Sequence, residues 1–187
     1  MAITWKLDPM HSDVQFKIRH LMVTNVTGSF KKFDVTAETE TDDFSTAKNI
    51  EFTADIDSIN TNDEQRDGHL KSGDFFEAEK YPQLKFTSTT YQKNGDEATL
   101  TGDLTMKGVT KPAIINVEFG GNVVDPYGRS KAGFTITGKL SRKEFGLTWG
   151  SLTETGNVVL GDDVRFTCEI QLVKQNAEVP VEEVATV

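Results

Sequence analysis

The segment Asp13-Val14-Gln15-Phe16-Lys17-Ile18-Arg19-His20 alternates polar and apolar side chains without a break. Successive side chains of a β-strand point to opposite faces, so Val14, Phe16, Ile18 and His20 share one face and Asp13, Gln15, Lys17 and Arg19 the other. The same period recurs down the chain. A second row runs from Gly28 through Phe30, Phe33, Val35 and Ala37, and the phase shift between the two phenylalanines predicts a bulge. Ile50, Phe52, Ala54 and Ile56 form the third row, and Leu84, Phe86 and Ser88 the fourth. Ala98, Leu100, Gly102 and Leu104 make the fifth; Ala113, Ile115, Val117 and Phe119 the sixth. Phe134, Ile136, Gly138 and Leu140 then precede a last row of Val164, Phe166, Cys168, Ile170 and Leu172.

Eight strands with one apolar face form either a sandwich or a barrel. Turn chemistry favours consecutive hairpins. Asn94-Gly95 supplies positive φ, and Asp125-Pro126-Tyr127-Gly128 carries the residues of a type I turn. A meander of hairpins predicts an all-β, eight-stranded antiparallel barrel, which also removes exposed sheet edges. At this strand count the interior is either filled by side chains or holds one small ligand. The inward rows mix large phenylalanines with Ala54, Ser88, Ala98, Gly102, Ala113 and Gly138. That mixture permits a narrow channel walled by aromatic rings, and equally a tightly filled, tapered barrel.

The connections after strands one, three, five and seven of a meander all lie at one end. The long ones are 21–27, 58–76 and 141–162, so that end is the predicted mouth. The 58–76 connection is polar and helix-forming until it runs into Asp74-Phe75-Phe76, which predicts a short helix anchored by two aromatics. Connections of this length in compact domains are often lids or binding loops.

The 187 residues fit one domain, expected over 1–174, followed by an acidic, aperiodic tail at 175–187 that is expected to be mobile. A net charge of −9 argues against nucleic acid and against polybasic attachment to lipid, leaving at most transient membrane contact. No apolar run approaches the roughly 20 residues of a membrane helix. The N-terminal residues lack the pattern of a secretory signal, so the expected location is the cytoplasm, or the periplasm if a leader has been removed. The single cysteine, Cys168, is in phase with the inward residues and reads as a small buried apolar group. His11, His20 and His69 show no metal-ligand spacing, so no metal is expected. Asp67-Gly68-His69 has the look of a catalytic dyad, but no nucleophile motif accompanies it, and an enzyme is not expected.

Candidate ligand-contacting residues follow from the inward phase and the predicted mouth. The walls are Phe16, Ile18, Phe30, Phe52, Ala54, Phe86, Gly102, Phe134, Ile136 and Phe166. His20 either hydrogen-bonds a head group or is satisfied internally and orders the 21–27 loop. Arg66 either grips a phosphate bidentately or forms a structural salt bridge with Asp63, Glu64, Asp67 or Asp74. His69 and Leu70 are expected on the inner side of the short helix, with Phe75 and Phe76 anchoring its exit. Phe145 and Trp149 either flank the entrance or pack on the barrel exterior. His11, with Ser12, is expected to cap a turn at the opposite end.

Several of these stretches together resemble the YceI-like family of lipocalin-like, polyisoprenoid-binding bacterial proteins. They are Asp8-Pro9-Met10-His11-Ser12-Asp13-Val14-Gln15-Phe16 with His20, Gly28-Ser29-Phe30, and Ser58-Ile59-Asn60-Thr61. Arg66-Asp67-Gly68-His69-Leu70-Lys71-Ser72-Gly73-Asp74-Phe75-Phe76 and Tyr81-Pro82-Gln83-Leu84-Lys85-Phe86 continue the series. Gly102-Asp103-Leu104-Thr105-Met106-Lys107-Gly108-Val109-Thr110 and Ser141-Arg142-Lys143-Glu144-Phe145-Gly146-Leu147 complete it. The resemblance implies an extended eight-stranded barrel around an apolar tunnel and a helical connection after strand three. It also implies homodimers and, with no other cofactor, a bound ligand such as a polyprenyl phosphate, a polyprenyl quinone or another long-chain amphiphile. Binding, transport or storage of such a molecule is the expected function. Two alternatives stand beside it: a stress-response interaction module with a solid barrel, and a lipid hydrolase acting near Arg66 and His69.

Overall fold

A computed structural model of the chain describes residues 2–150 and 159–176. Part of the 141–162 connection and all but the first two residues of the expected tail therefore lie outside it. Eleven strand segments form one antiparallel sheet closed into an eight-staved barrel. The first stave is broken: β1 (Ile3–Leu7) pairs with the last strand through Leu7 and Leu172, and β2 (Asp13–His20) continues the same edge from Asp13 and Glu169. The second stave is β3 (Thr24–Phe30) and β4 (Phe33–Thr39), interrupted at Lys31-Lys32 between the two phenylalanines that predicted a bulge. The third is β5 (Lys48–Asp55) with the short β6 (Ile59–Asn60). The remaining staves are β7 (Gln83–Asn94), β8 (Glu97–Met106), β9 (Val109–Val124), β10 (Ser130–Ser141) and β11 (Leu160–Lys174). β11 pairs with both β1 and β2, which closes the barrel and leaves the meander with no free outer strand.

The break in the first stave is held by a polar cluster on the outer wall. Asp8 accepts hydrogen bonds from Lys131 Nζ (2.8 Å), Gln171 Nε2 (3.1 Å) and the Met10 amide (3.2 Å), and it pairs with His11 Nδ1 (3.0 Å). Ser12 Oγ donates to the Asp8 carbonyl and accepts from the Gln171 amide. His11 thus belongs to a turn, as expected, but the turn lies on the outer wall between β1 and β2 and its capping side chain is Asp8.

The end opposite the predicted mouth is sealed by aromatic rings. Phe44, alone among polar neighbours in the 40–47 connection, folds inward and is 3% exposed. Its ring lies 4.7 Å from that of Trp5, 4.8 Å from Phe134 and 6.0 Å from Phe119. Trp5 Nε1 donates to Thr39 Oγ1 at 2.9 Å, so the one polar atom of the buried indole is satisfied. A folded-in phenylalanine, rather than the turns themselves, closes this end.

Three glycines explain how the rest of the barrel accommodates its phenylalanines. A Cβ added to Gly28 would lie 2.3 Å from the Phe16 ring, at Gly138 2.2 Å from the Phe166 ring, and at Gly102 2.5 Å from the Phe86 ring. Gly28 and Gly138 are the direct cross-strand partners of their phenylalanines. Each ring therefore lies flat against a neighbouring strand, where any side chain would displace it. Gly28→Ala and Gly138→Ala are each expected to destabilise the protein by about 1–3 kcal/mol through overpacking, measured as a lower midpoint in urea at unchanged slope. Burial alone would raise the Asp8 carboxyl pKa, but hydrogen bonds and charge from Lys131 and His11 outweigh it and hold the value at about 2. A depressed carboxyl stabilises the fold above its unfolded value and loses that contribution as pH falls through its folded one. Asp8→Asn is therefore expected to lower stability at pH 6 and to flatten the loss of stability between about pH 4 and 2, read by urea titrations across that range.

Candidate ligand-binding cavity

Rings laid against the wall leave the barrel hollow. A cavity of about 610 Å³ runs inside it, a volume in the range of small-molecule sites. Of the residues expected to line a tunnel, Phe16, Ile18, Phe30, Phe52, Phe86, Ile136 and Phe166 do border it. So do His20 and, from the mouth, Arg66, His69, Leu70, Phe75, Phe76 and Trp149.

Four expected residues are elsewhere. Phe134 belongs to the aromatic plug at the far end. Gly102 lies beneath the Phe86 ring, so a larger residue there meets that ring and the Thr87 carbonyl before it reaches the lumen. Ala54 is fully buried opposite Phe33 and Leu84 on the adjacent strands, and its methyl is too short to reach past them. Phe145 is buried in the one-turn helix Lys143–Phe145, which packs against β9 rather than standing at the entrance. Cys168 borders the cavity, although the sequence reading gave it only a packing role. Burial, reinforced by Asp13 and Glu169, pushes its thiol up to about 12, so it stays protonated and inert.

The mouth is assembled from the predicted loops. Helix α1 (Glu64–Lys71) is capped by Asp63, whose carboxylate accepts from the Arg66 amide at 3.0 Å. The helix is too short and polar to stand alone, and Leu70, Phe75 and Phe76 pack it onto the core. Phe76 sits edge-on to Phe30 at 6.3 Å. His69 lies edge-on between Phe75 (5.1 Å) and Trp149 (4.5 Å), which joins the helix to the 142–150 loop. Lys107, in the turn between β8 and β9, donates to the Gly73 carbonyl at 3.1 Å.

Polar groups at this end are engaged in a way the sequence did not foretell. Asp67 accepts from both the amide (2.8 Å) and the hydroxyl (2.6 Å) of Thr61, and Asp74 pairs with His69 Nε2 at 2.9 Å. Arg66 gives Nε to Thr61 Oγ1 at 2.8 Å and Nη2 to the Thr61 carbonyl. Among the described residues no carboxylate lies within ion-pairing distance of Arg66, so none of the four expected salt bridges forms. The His20 imidazole is half-buried on the cavity wall and makes no side-chain hydrogen bond to the described residues.

The Ser141–Leu147 motif contributes a different residue from the one expected. Arg142, 2% exposed, donates to the carbonyls of Leu147 (2.7 Å), Trp149 (2.6 Å), Gly161 (2.8 Å) and Leu160 (3.1 Å). Burial pushes the Arg142 pKa down, and the charge of Asp162 opposes that. Burial would raise Asp162 in turn, but bonds from Ser141 Oγ (2.6 Å) and the Lys143 amide (3.1 Å) keep it below the ordinary carboxylate range. The signal available in the sequence was an arginine opening a short turn that ends at Gly146, whose φ is +78°.

The barrel wall is also open on one side. β9 pairs with β8 from Val109 to Glu118, but with β10 only from Asn116 to Val124. The 109–115 run of β9 and the 138–141 run of β10 thus face each other without a ladder. Ile114 and Lys139, one on each run, both border the cavity at this unladdered slit. Pro112 marks it in the sequence, because a proline cannot donate to a ladder and is tolerated in a sheet only at an edge.

A family profile described as "YceI-like domain" matches residues 5–172. The chain belongs to the YceI-like domain family. A UPF0312 protein of Staphylococcus aureus strain USA300 is 43% identical over 162 residues, spanning 85% of this chain and 91% of the relative. The Campylobacter jejuni YCEI protein is 34% identical over 91% of this chain and 97% of that one, with a TM-score of 0.73. Burkholderia cenocepacia BcnA shares the fold at a TM-score of 0.76 and 22% identity, covering 88% of this chain and 98% of its own. A polyisoprenoid binding domain from Saccharophagus degradans also shares it, at 0.63 and 14% identity over 91% and 98% of the two chains. In this YceI-like barrel Arg142 is the clamp of the mouth loop. Arg142→Met is expected to leave several carbonyls unpaired and cost about 3 kcal/mol or more. In a Trp5→Phe background the same change should shift Trp149 emission to the red, as the indole leaves His69.

Proposed function

We propose that this protein binds a long-chain isoprenoid amphiphile, with the tail in the barrel and an anionic head at the mouth. The observation that carries this reading is an apolar cavity opening beside Arg66, a guanidinium with no carboxylate partner among the described residues. The polyisoprenoid-binding neighbour supports the tail chemistry. Moving one isoprene unit out of water is worth roughly 3–4 kcal/mol, at about 0.8 per carbon. Against a membrane, whose interior is equally apolar, that term nearly cancels. The choice between barrel and bilayer then falls to close packing on the flattened rings and to recognition of the head group. Arg66, fixed through Nε and Nη2 on Thr61, keeps further N–H donors for phosphate oxygens, and His20 adds a ring nitrogen on the wall.

A solid interaction module does not fit a cavity of this volume. The hydrolase reading lacks a nucleophile, because the His69 ring is bonded to Asp74 and to no hydroxyl or thiol among the described residues.

The test is ligand retention by delipidated protein, followed by native mass spectrometry with a polyprenyl phosphate and a polyprenyl quinone of equal chain length. Arg66→Met is expected to weaken the phosphate about 10- to 100-fold while changing the quinone little, as loss of a charged hydrogen bond predicts. Equal losses for both would make Arg66 a purely structural residue. Refusal of both by the unmodified protein would overturn the reading.

A further inference from the structure

The turn from His20 to Val23 joins β2 to β3 at the mouth. Its central residues, Leu21 and Met22, have φ of +49° and +59°, and the Val23 amide donates to the His20 carbonyl at 3.1 Å. Two consecutive left-handed residues suit Asn-Gly or Gly-Gly; bulky L side chains there strain the backbone. The equivalent turn between β8 and β9, at the same end, puts Gly108 in its second left-handed position. The strained turn does not hide its side chains: Leu21, Met22 and Val23 are 47%, 53% and 71% exposed. Strain held in order to present three apolar groups to solvent points to a use for them.

A second, independent feature lies on the outer wall below that turn. The strand registers set Lys139 opposite Arg165, and Arg165 opposite Lys17, so three cations cross β10, β11 and β2 in one row. Arg19 stands two residues nearer the mouth, and its Nη2 donates to the Met22 carbonyl at 2.7 Å. All four side chains are exposed. Like charges placed directly opposite repel, and the chain as a whole carries −9. Among the described residues only Lys139 has a carboxylate partner, Asp163 at 3.7 Å. The row ends at the slit, of which Lys139 is one lip.

We infer that the 21–23 turn and the Lys17–Arg165–Lys139 row form a docking face for an anionic lipid bilayer. The inference rests on the reading of the cavity as a carrier for a lipid tail. At about 3.3 Å per residue, Arg19 lies about 7 Å and Lys17 about 13 Å below Leu21 along the strand. The headgroup layer of a bilayer is roughly 5–7 Å deep on each side. With Leu21, Met22 and Val23 at the acyl boundary, Arg19 stands at phosphate level and the cation row lies in the negative surface potential just outside. The mouth of the barrel then meets the acyl boundary, and a tail passes into it without crossing water.

The experiment is flotation of delipidated full-length protein with vesicles of phosphatidylcholine alone, or with 30 mol% phosphatidylglycerol, at ~50 mM and ~300 mM salt. The unmodified protein is expected to float with the anionic vesicles, and less at high salt. The double variant Leu21→Asn, Met22→Gly should melt a few degrees higher, because the turn is relieved, yet bind the anionic vesicles at least tenfold more weakly. The double variant Lys17→Gln, Arg165→Gln should lose about fivefold per charge. Both variants should keep isoprenoid loading from detergent micelles unchanged, which separates docking from binding. Docking without any loading from micelles would overturn the proposed function and leave this inference standing; loading without docking does the reverse. Undiminished vesicle binding by the turn variant overturns the inference. So does a solution mass that halves in that variant, which would identify a second copy as what the turn covers.

Discussion

The hollow interior depends on the contact between phenylalanine rings and the glycines beside them. A barrel of eight strands has little room inside, and its inward rows carry enough aromatic volume to fill it. Phe16, Phe86 and Phe166 escape that outcome because Gly28, Gly102 and Gly138 offer bare backbone for the rings to lie on. The wall gains apolar contact area while the axis stays open. At the far end, where Phe134 faces Phe119 rather than a glycine, Trp5, Phe44, Phe119 and Phe134 pack against one another and close the barrel. The same residue type thus makes wall at one level and plug at another.

Asymmetry between the two ends follows. The closed end is packed with buried aromatic rings and its indole N–H is paired. The open end is built of loops that satisfy their own backbone through charged side chains, with Arg142 bonded to four carbonyls and Asp63, Asp67 and Asp74 each committed to a local partner. Because those acids are engaged, the Arg66 guanidinium, although it lies among them, has no carboxylate partner among the described residues. Electrostatics at the mouth is therefore set by which neighbour each carboxylate found first, a matter of helix capping and turn geometry rather than of net charge.

Much of the barrel was legible in the chain. Period-two alternation located all eight staves, and the shift between Phe30 and Phe33 located the break in the second. The short Ile3–Leu7 strand was not separated from what precedes Asp13, because five residues carry little periodic signal. Site residues divided by how far their contacts reach. Residues placed by strand phase alone, such as Ile18, Phe52 and Ile136, face the cavity as expected. Residues whose role depends on a partner distant in sequence did not follow: Phe134 found Phe44, and Gly102 received the Phe86 ring. The slit lay between those cases, since Pro112 announces an edge without saying which neighbour is missing.

The alternation around Asp13–His20 by itself determined an antiparallel meander with one apolar face, because side-chain direction in a strand is a local property of the backbone. The order of the loops likewise determined which end would be the mouth. Whether the interior was filled or empty, which cation at the mouth lost its counter-charge, and which two strands part company were decided only by tertiary structure. Each of these turns on the few ångströms between groups from different strands, and no local pattern encodes that distance.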